Sequence, residues 1–242
     1  MAEIDEPYEY VGTELETFAL ARNWKRYAAH LLRPFIRGDV LEVGAGIGAV
    51  AQTLIDPAVA SWTALEPDPK LAATLAATPI DPTGRITARV VVGTIDAIPP
   101  EPGHDAVLYF DVLEHIEDDR GQLVQAGARL RAGGHLVVLA PAFPVVYSPF
   151  DRAIGHYRRY TKRTLADVMP AGFERRFLRY ADSIGLLLSL VNRALLRQDR
   201  PRRNQIMFWD RAVIPLSRLV DPMLGGFVGR SVIAAYRKPS GR

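Results

Sequence analysis

A glycine-rich turn between an apolar strand and a helix is the feature that most constrains the fold of this chain. The turn, Gly44-Ala45-Gly46-Ile47-Gly48, follows the apolar run 40–43, and a helix is predicted over 47–54. Glycines at such a turn tolerate positive φ and let the backbone approach a ligand closely. Strands are also predicted at 62–65, 86–92, 106–110 and 135–140, with helices at 68–77 and 118–130. This alternation predicts a parallel sheet covered by helices on both faces.

The segments on either side of this alternation have a different pattern. Apolar residues from Trp24 to Phe35 recur at helical spacing and predict an N-terminal helix. After residue 140 comes a proline- and aromatic-rich loop at 141–160. We then predict a helix at 161–169, a strand at 172–180, a helix at 183–196 and a strand at 231–237. A chain of 242 residues fits one domain with additions.

The absence of cysteine excludes several kinds of site. No disulfide, thiolate zinc site, iron–sulfur cluster or cysteine nucleophile can form in this chain. The acidic start, MAEIDEPYEY, has no apolar core of a signal peptide, and the apolar run 183–192 is about half the length of a membrane span. We therefore expect a cytoplasmic protein, with peripheral attachment to the inner face of the membrane as a variant of that location.

Charge is distributed unevenly along the chain. Residues 1–151 carry a net charge of −10 and residues 152–242 a net charge of +13. The basic part either meets an anionic substrate, membrane surface or nucleic acid, or forms a solvated face. Nucleic acid is the weaker candidate, because 193–204 contains no aromatic residues for base stacking.

The segment after residue 183 combines apolar and basic residues in a pattern that suggests binding to a membrane surface. Ile184, Leu187, Leu188, Val191 and Leu195 form an apolar helical stripe, followed by the arginine-rich run 193–203. An interfacial helix with a basic flank has this pattern. A core helix followed by a solvated loop explains the pattern equally simply, and it is the preferred interpretation.

An acidic residue after the second strand indicates which ligand the glycine turn binds. Glu66 can accept hydrogen bonds from both hydroxyls of a ribose, which predicts an adenosine-containing ligand. The spacing Gly44-x-Gly46-x-x-Ala49 also fits a dinucleotide. Glu42 beside the turn would repel a pyrophosphate and suits a cationic sulfonium. The alternatives are an NAD(P)-dependent oxidoreductase, a non-catalytic nucleoside-binding or membrane-surface module, and a turn without a ligand.

Four segments in order resemble one family. The strings DVLEVGAGIG at 39–48, LEPD at 65–68, DAVLYFDVLEHI at 105–116 and LRAGGHLVV at 130–138 resemble motifs of the class I methyltransferases that use S-adenosylmethionine (SAM). The resemblance is strongest to the bacterial branch called type 11/12. It implies a Rossmann-like α/β fold with seven mostly parallel strands and helices on both faces.

The resemblance also implies a division of the single domain, 1–242. Residues 1–38 would form an N-terminal helical cap, 39–140 the SAM-binding core, and 141–171 an acceptor-side loop and helix. Residues 172–242 would supply the two closing strands, the last of them antiparallel. The basic and apolar segment 197–230 would be an insertion between those strands.

Roles for individual residues follow from the same resemblance. Glu42, Gly44 and Gly46 would line the methionine end of SAM, and Asp111, after the fourth strand, would lie near it. Ala45 of the same turn would also bind the cofactor. Glu66 and Pro67 would lie at the ribose, and Thr94 and Ile95 at the adenine. Relatives often carry an acidic residue where Thr94 stands, so Asp96 is an alternative contact for the adenine amino group. The product would be S-adenosylhomocysteine.

A metal is not expected. The acidic residues at 114–118 fit the start of a helix, and His115 has no further ligand at metal spacing in the sequence.

The loop at 141–160 is the predicted acceptor side, since it follows the fifth strand at the cofactor edge of the sheet. Tyr157, Arg158 and Arg159 would bind the acceptor through an aromatic wall and guanidinium groups. Alternatively, the two arginines pair with Asp151 or with helix ends and only hold the loop.

Methyl transfer depends mainly on positioning, which can supply roughly 7–11 kcal/mol. A general base adds about 10²–10⁴-fold and is needed only for a hydroxyl or a protonated amine. His156 is the first candidate for that base and Tyr147 the second. The sequence thus predicts a SAM-dependent methyltransferase for a small-molecule acceptor that is anionic or lipid-linked.

Overall fold

The computed structural model describes residues 18–191 and 203–240. Its centre is a seven-stranded sheet with the order β3-β2-β1-β4-β5-β7-β6. The strands are β1 (Gly38–Val43), β2 (Val59–Glu66), β3 (Thr87–Val92), β4 (His104–Phe110), β5 (Leu130–Pro141), β6 (Glu174–Ala181) and β7 (Ser231–Arg237). Strands β1 to β5 are parallel, and β7 runs antiparallel to both β5 and β6.

The described helices alternate with these strands in the first part of the chain and cluster near its end. They are α1 (Arg22–Leu32), α2 (Ala51–Leu54), α3 (Pro69–Ala77), α4 (Asp119–Arg129), α5 (Pro149–Ala153), α6 (Lys162–Val168), α7 (Ser183–Val191), α8 (Arg203–Phe208) and α9 (Ile214–Val220). A π-helical turn, Trp209–Val213, joins α8 to α9. The predicted class I methyltransferase fold, with its antiparallel last strand, is confirmed.

Successive strand residues pack on opposite faces of the sheet, because side chains alternate along a strand. Val40 of β1 belongs to a core shared with Trp24 of α1 and Ile214 of α9. Leu41 belongs to a second core, which contains Leu123 of α4. Both faces of the sheet are therefore covered by helices, and the carboxyl ends of β1, β2 and β4 remain as the edge at which a ligand can bind.

Two predicted elements differ from the structure. The helix expected over 47–54 begins only at Ala51, because Gly46 and Gly48 have φ values of +55° and +82°, outside the right-handed helical region. The strand expected over 135–140 is longer in the structure, since β5 begins at Leu130 and ends at Pro141. The cap residues 1–17 and the insertion residues 197–202 lie outside the described residues.

No helix within the described ranges combines the length and the apolar character that crossing a bilayer requires.

Candidate active site

The glycine loop, residues 44–48, is held against the end of β2. The amides of Gly44 and Ala45 both donate to the carbonyl oxygen of Leu65, at 2.8 and 3.0 Å. Gly44 has a φ of +71°, and a Cβ at this position would lie 2.6 Å from Cγ2 of Val112. Only glycine fits this conformation and this space, so the loop presents bare backbone to the edge of the sheet.

Glu66 stabilises this loop from the end of β2. Its Oε2 accepts from the amide of Gly46 at 2.7 Å, and its Oε1 accepts from the amide of Asp68 at 3.0 Å. Burial raises the pKa of this carboxyl. Each oxygen keeps a further lone pair for a ligand hydroxyl. The ribose contact predicted for Glu66 stays a prediction, and its support of the loop is an additional role that the sequence analysis did not foresee.

Glu42 lies beneath the glycine loop instead of on the wall of the cavity described below. Its Oε2 accepts from the indole Nε1 of Trp62 at 2.9 Å, and the side chain is buried. Burial raises the pKa of Glu42 to about 8. This position differs from the expected contact with the methionine end of SAM, because the alternation along β1 turns Glu42 toward the helix-covered core that contains Trp62.

The predicted adenine residues lie after β3. Ile95 begins a short 3₁₀ turn and packs its side chain in the core, so it does not offer that side chain to a ligand. Thr94 precedes it and is exposed, and Pro67 is partly exposed between β2 and the N-cap Asp68. The adenine and ribose contacts of Thr94 and Pro67 stay predictions.

A cavity of about 230 Å³ opens beside the glycine loop, where the loop at 141–160 covers the ends of β4 and β5. Gly44, Ala45 and Gly46 form one wall, as predicted for a cofactor site at this edge. Phe110 and Phe150 supply apolar surface.

Asp111 follows β4 and opens into the same cavity. Its φ of +53° is rare for a residue other than glycine. Desolvation raises the pKa of the Asp111 carboxyl to about 6, although electrostatic interactions with the nearby His156 and Arg230 act to lower it. The sequence placed Asp111 beside the methionine part of SAM, and the structure places its side chain in the cavity next to the glycine loop.

Asp151 holds the covering loop together. Its two oxygens accept from Nε and Nη2 of Arg159 at 2.8 and 2.9 Å, and from the amide and hydroxyl of Ser148 at 2.8 and 2.7 Å. Although burial opposes it, hydrogen bonds from His156, Arg159 and Ser148 hold the pKa of Asp151 well below its usual range. Arg159 therefore pairs with Asp151, as the alternative interpretation predicted. Its side chain also lines the cavity.

His156, the predicted base, lies between two carboxyl groups at the cavity. Its Nδ1 is 3.0 Å from Oδ1 of Asp151, and its Nε2 is 3.8 Å from Oε1 of Glu114. Glu114 is 1% exposed, and neither of its oxygens has a hydrogen-bond partner on another described residue. Burial, with the repulsion of Asp111, raises the pKa of Glu114 well above its usual value. A buried carboxyl thus faces the imidazole across a gap.

His115 completes this group. Its ring packs edge-on against that of His156 with the centroids 4.5 Å apart, and burial lowers its pKa to about 4. One ligand atom from each of Glu114, His115 and His156 lies within 4.8 Å of the others, so the three side chains could hold a metal ion. The sequence analysis found no partner for His115, since the partner comes from a loop about forty residues away.

The other residues predicted on the acceptor loop lie outside the cavity wall. The hydroxyl of Tyr147 donates to the carbonyl oxygen of His156 at 2.6 Å, so Tyr147 positions the loop. Arg158 pairs with Asp119 at 2.7 Å and donates to the carbonyl oxygen of Glu117. Tyr157 is largely exposed. Tyr157 and Arg158 face solvent and α4, so this arrangement does not favour direct binding of an acceptor by either residue.

Lys25, Trp209 and Arg230 also line the cavity, and none of them was a predicted site residue. Lys25 of α1 donates to the carbonyl oxygen of Phe18 at 2.6 Å, and burial lowers its pKa to about 8. The guanidinium of Arg230 lies 4.5 Å from the ring centroid of Trp209. No local motif marks these side chains, because the fold brings them to the cavity from both ends of the chain.

A family model described as a methyltransferase domain matches residues 41–136. The matched range contains the glycine loop, Glu66 and Asp111. The match covers less than half of the chain and supports the predicted resemblance of this part to the SAM-dependent methyltransferases.

Two curated proteins are similar to this chain in sequence. Demethylmenaquinone methyltransferases of two strains of Tropheryma whipplei are 30% identical to it over 162 residues. The aligned part is 65% of this chain and 65% of each relative, so the chain spans less than two thirds of their length.

Solved structures share the fold at low sequence identity. Haemonchus contortus phosphoethanolamine N-methyltransferase 2, solved with SAM, aligns with a TM-score of 0.60 and 14% identity over 94% of this chain and 58% of that one. The [4+2]-cyclase SpnF aligns with a TM-score of 0.57 and 17% identity over 89% of this chain and 81% of that one. These similarities show the fold and leave the reaction to be argued from the site.

Proposed function

We propose that this protein transfers a methyl group from SAM to a hydroxyl or amine of a small-molecule acceptor. The proposal depends on one observation above all: the glycine loop and the facing pair His156 and Glu114 open into the same cavity. When bound, the cofactor supplies a methyl group already activated by a cationic sulfur. The protein then has to orient the acceptor, exclude water and take up one proton.

The residues at the glycine loop fit such a cofactor. Gly44, Ala45 and Gly46 line the cavity, and Gly44 packs so closely on Val112 that a Cβ would not fit, which lets the loop present its backbone at this edge. Asp111 places a carboxyl in the cavity beside the loop, which favours the cationic methionine end of SAM. The carboxylate of Asp111 would repel the pyrophosphate of a dinucleotide, which argues against an NAD(P)-dependent oxidoreductase.

The proton of the acceptor would pass to Nε2 of His156. Hydrogen bonding to Asp151 assigns the Nδ1–H tautomer, so the lone pair of Nε2 points away from Asp151 toward the Glu114 side of the cavity. Asp151, which is hydrogen-bonded to Nδ1, stabilises the imidazolium that forms. We expect this base to contribute about 10²–10⁴-fold and the positioning of the acceptor to contribute more.

The walls of the cavity suggest the class of acceptor. Trp24, Phe110, Phe150 and Trp209 surround an apolar space, and Arg230 adds a cationic group beside it. A small aromatic hydroxyl compound with an anionic substituent would match both features. The name of the Tropheryma whipplei relatives, demethylmenaquinone methyltransferase, supports a small-molecule acceptor.

The test is transfer of a tritiated methyl group from SAM to a panel of carboxylated phenols and amines. His156→Asn should lower kcat at least a hundredfold without changing the affinity for S-adenosylhomocysteine. Tyr157→Phe is the matched control, since it removes a hydroxyl from a largely exposed residue of the same loop, and we expect it to stay within about threefold of wild type.

Two outcomes would contradict the proposal. Full turnover by His156→Asn would remove the base from the mechanism, and transfer to no member of the panel by the SAM-binding protein would exclude the acceptor class. Activity should also survive treatment with EDTA. Loss of activity on chelation, with recovery on adding a divalent metal ion, would mean that Glu114, His115 and His156 act as metal ligands.

A further inference from the structure

Large apolar side chains are exposed mainly on one segment of the protein. Eleven of the fifteen exposed large apolar residues in the described part of the chain lie between 187 and 228. Leu219, Met223 and Phe227 are 72%, 85% and 78% exposed. Monomeric proteins rarely leave such side chains clustered in water without a binding role. We call the exposed side of residues 187–191 and 203–228 the insertion face.

The elements that carry these residues are neighbours in space. Helix α7 packs against α9, and the turn after α9 returns to β6, where the amide of Tyr180 donates to the carbonyl oxygen of Gly226 at 3.1 Å. In α7 only Ile184 of the predicted stripe packs on the core, whereas Leu187, Leu188 and Val191 are exposed. Among the described residues of the stripe, the core-helix interpretation therefore accounts for one; Leu195 lies outside the described residues.

The charges on this segment are sorted by sign. Its described carboxylates, Asp210 and Asp221, are both buried and hydrogen-bonded inward, Asp210 to the amide of Trp24 and Asp221 to the hydroxyl of Tyr27. Arg203, Arg211 and Arg218 are exposed. The sequence between α7 and α8 adds four further arginines and one aspartate at 192–202. The outside of the described segment thus carries cations and no exposed carboxylate.

More cations lie beside the most exposed apolar side chains. The Nζ of Lys162 is 5.3 Å from the ring centroid of Phe227, and the side chain of Arg179 packs against Gly226. Apolar groups surrounded by Lys and Arg are the pattern by which peripheral proteins bind anionic membranes, where the apolar groups enter the acyl boundary and the cations meet lipid phosphates.

We infer that the insertion face docks on an anionic lipid bilayer. Charge complementarity favours this partner over a second copy of the chain. A symmetric dimer through this face would bring its arginines together without exposed carboxylates among the described residues to neutralise them. Trp209 and Arg230 belong to the same part of the chain and line the cavity, so docking would bring the cavity near the membrane.

The experiment is flotation of the purified protein with vesicles of phosphatidylcholine alone or with 30 mol% phosphatidylglycerol (about a third anionic lipid). We expect binding only to the anionic vesicles at low salt and its loss in about 0.5 M NaCl. The double variant Leu219→Asp/Phe227→Asp should bind at least tenfold more weakly. Val124→Asp is the matched control, because Val124 is exposed on α4, away from this segment.

Each result decides the inference. It is overturned by failure of the wild-type protein to float, by equal binding of the double variant, or by a dimer in solution that the double variant dissociates. Titration with S-adenosylhomocysteine and thermal unfolding show whether each variant is folded. Membrane docking does not depend on methyl transfer, so a negative flotation result leaves the proposed reaction intact, and the reverse also holds.

Discussion

Replacing Asp151 by asparagine should destabilise the loop that covers the cavity. Asp151 is fully buried and accepts from both the Arg159 guanidinium, at 2.8 and 2.9 Å, and Ser148. The amide of asparagine keeps one acceptor oxygen but turns N–H donors toward a guanidinium that is itself a donor. Removing one partner of a buried ion pair costs about 3–5 kcal/mol, because the other charge is left uncompensated.

Two measurements test this prediction. Hydrogen exchange across 141–160 should show the loop opening more easily by that amount, and urea unfolding at pH 7 should show a loss of about 3–5 kcal/mol unless the loop opens before the rest of the protein. Affinity for S-adenosylhomocysteine should fall less than threefold, because Asp151 does not contact the glycine loop. Turnover should fall, because His156 loses the partner that orients its ring.

The dependence on pH follows from the sign of the shift. The folded-state pKa of Asp151 is lowered, so its contribution is fully present above the unfolded pKa of about 3.9. The contribution is lost as the pH falls through the folded pKa. The difference between wild type and Asp151→Asn should therefore be constant from pH 7 to about 5 and shrink in stronger acid. A loss below about 1 kcal/mol at pH 7, with unchanged exchange in the loop, would refute the reasoning.

Three other changes test separate parts of the site. Glu42→Gln should be more stable than wild type at pH 8.5 by roughly 2–5 kcal/mol, because the raised pKa of Glu42, about 8, means that its stabilisation is lost as the pH rises. Equal urea stability of the two proteins at pH 5 and 8.5 would contradict this. Gly44→Ala should lower stability by about 1–3 kcal/mol and weaken cofactor binding. Gly84→Ala is the control: its φ is +64° but its Cβ would lie in open space, so it should lose stability only through backbone strain. Equal melting temperatures and affinities for the two alanine variants would show that Val112 does not exclude a Cβ at position 44. Arg158→Ala should cost about 1–2 kcal/mol through its lost contact with Asp119 and leave the KM for the acceptor unchanged; a large rise in KM would restore the predicted binding role.

The sheet could be predicted from the sequence because each strand carries its own local signal. Alternation of apolar runs with helical periods located the strands within a few residues, and β7 was predicted with the bounds that the structure has. The start of α2 was predicted four residues early, since helical spacing after Gly44 does not reveal the positive φ of Gly48.

The site could be predicted where its residues directly follow strands of the sheet. The glycine loop and Asp111 follow strands whose carboxyl ends share an edge, so their meeting follows from topology. The approach of His156 to Glu114 depends on how a long loop folds back over the sheet, which periodicity does not encode. For Arg158 and Arg159 both interpretations were open. The structure pairs Arg158 with Asp119 and Arg159 with Asp151, and acceptor binding by Arg159, which also lines the cavity, stays a prediction.

Calorimetric titration with S-adenosylhomocysteine tests the central claim most directly, with NADH as the competing ligand. We expect micromolar binding of S-adenosylhomocysteine, no binding of NADH, and binding by Glu66→Ala that is weaker by about 10- to 100-fold, because this variant loses a charge-assisted contact to the ribose and the support of the loop. Binding of NADH alone, or no binding of either ligand, would contradict a methyltransferase site at the glycine loop.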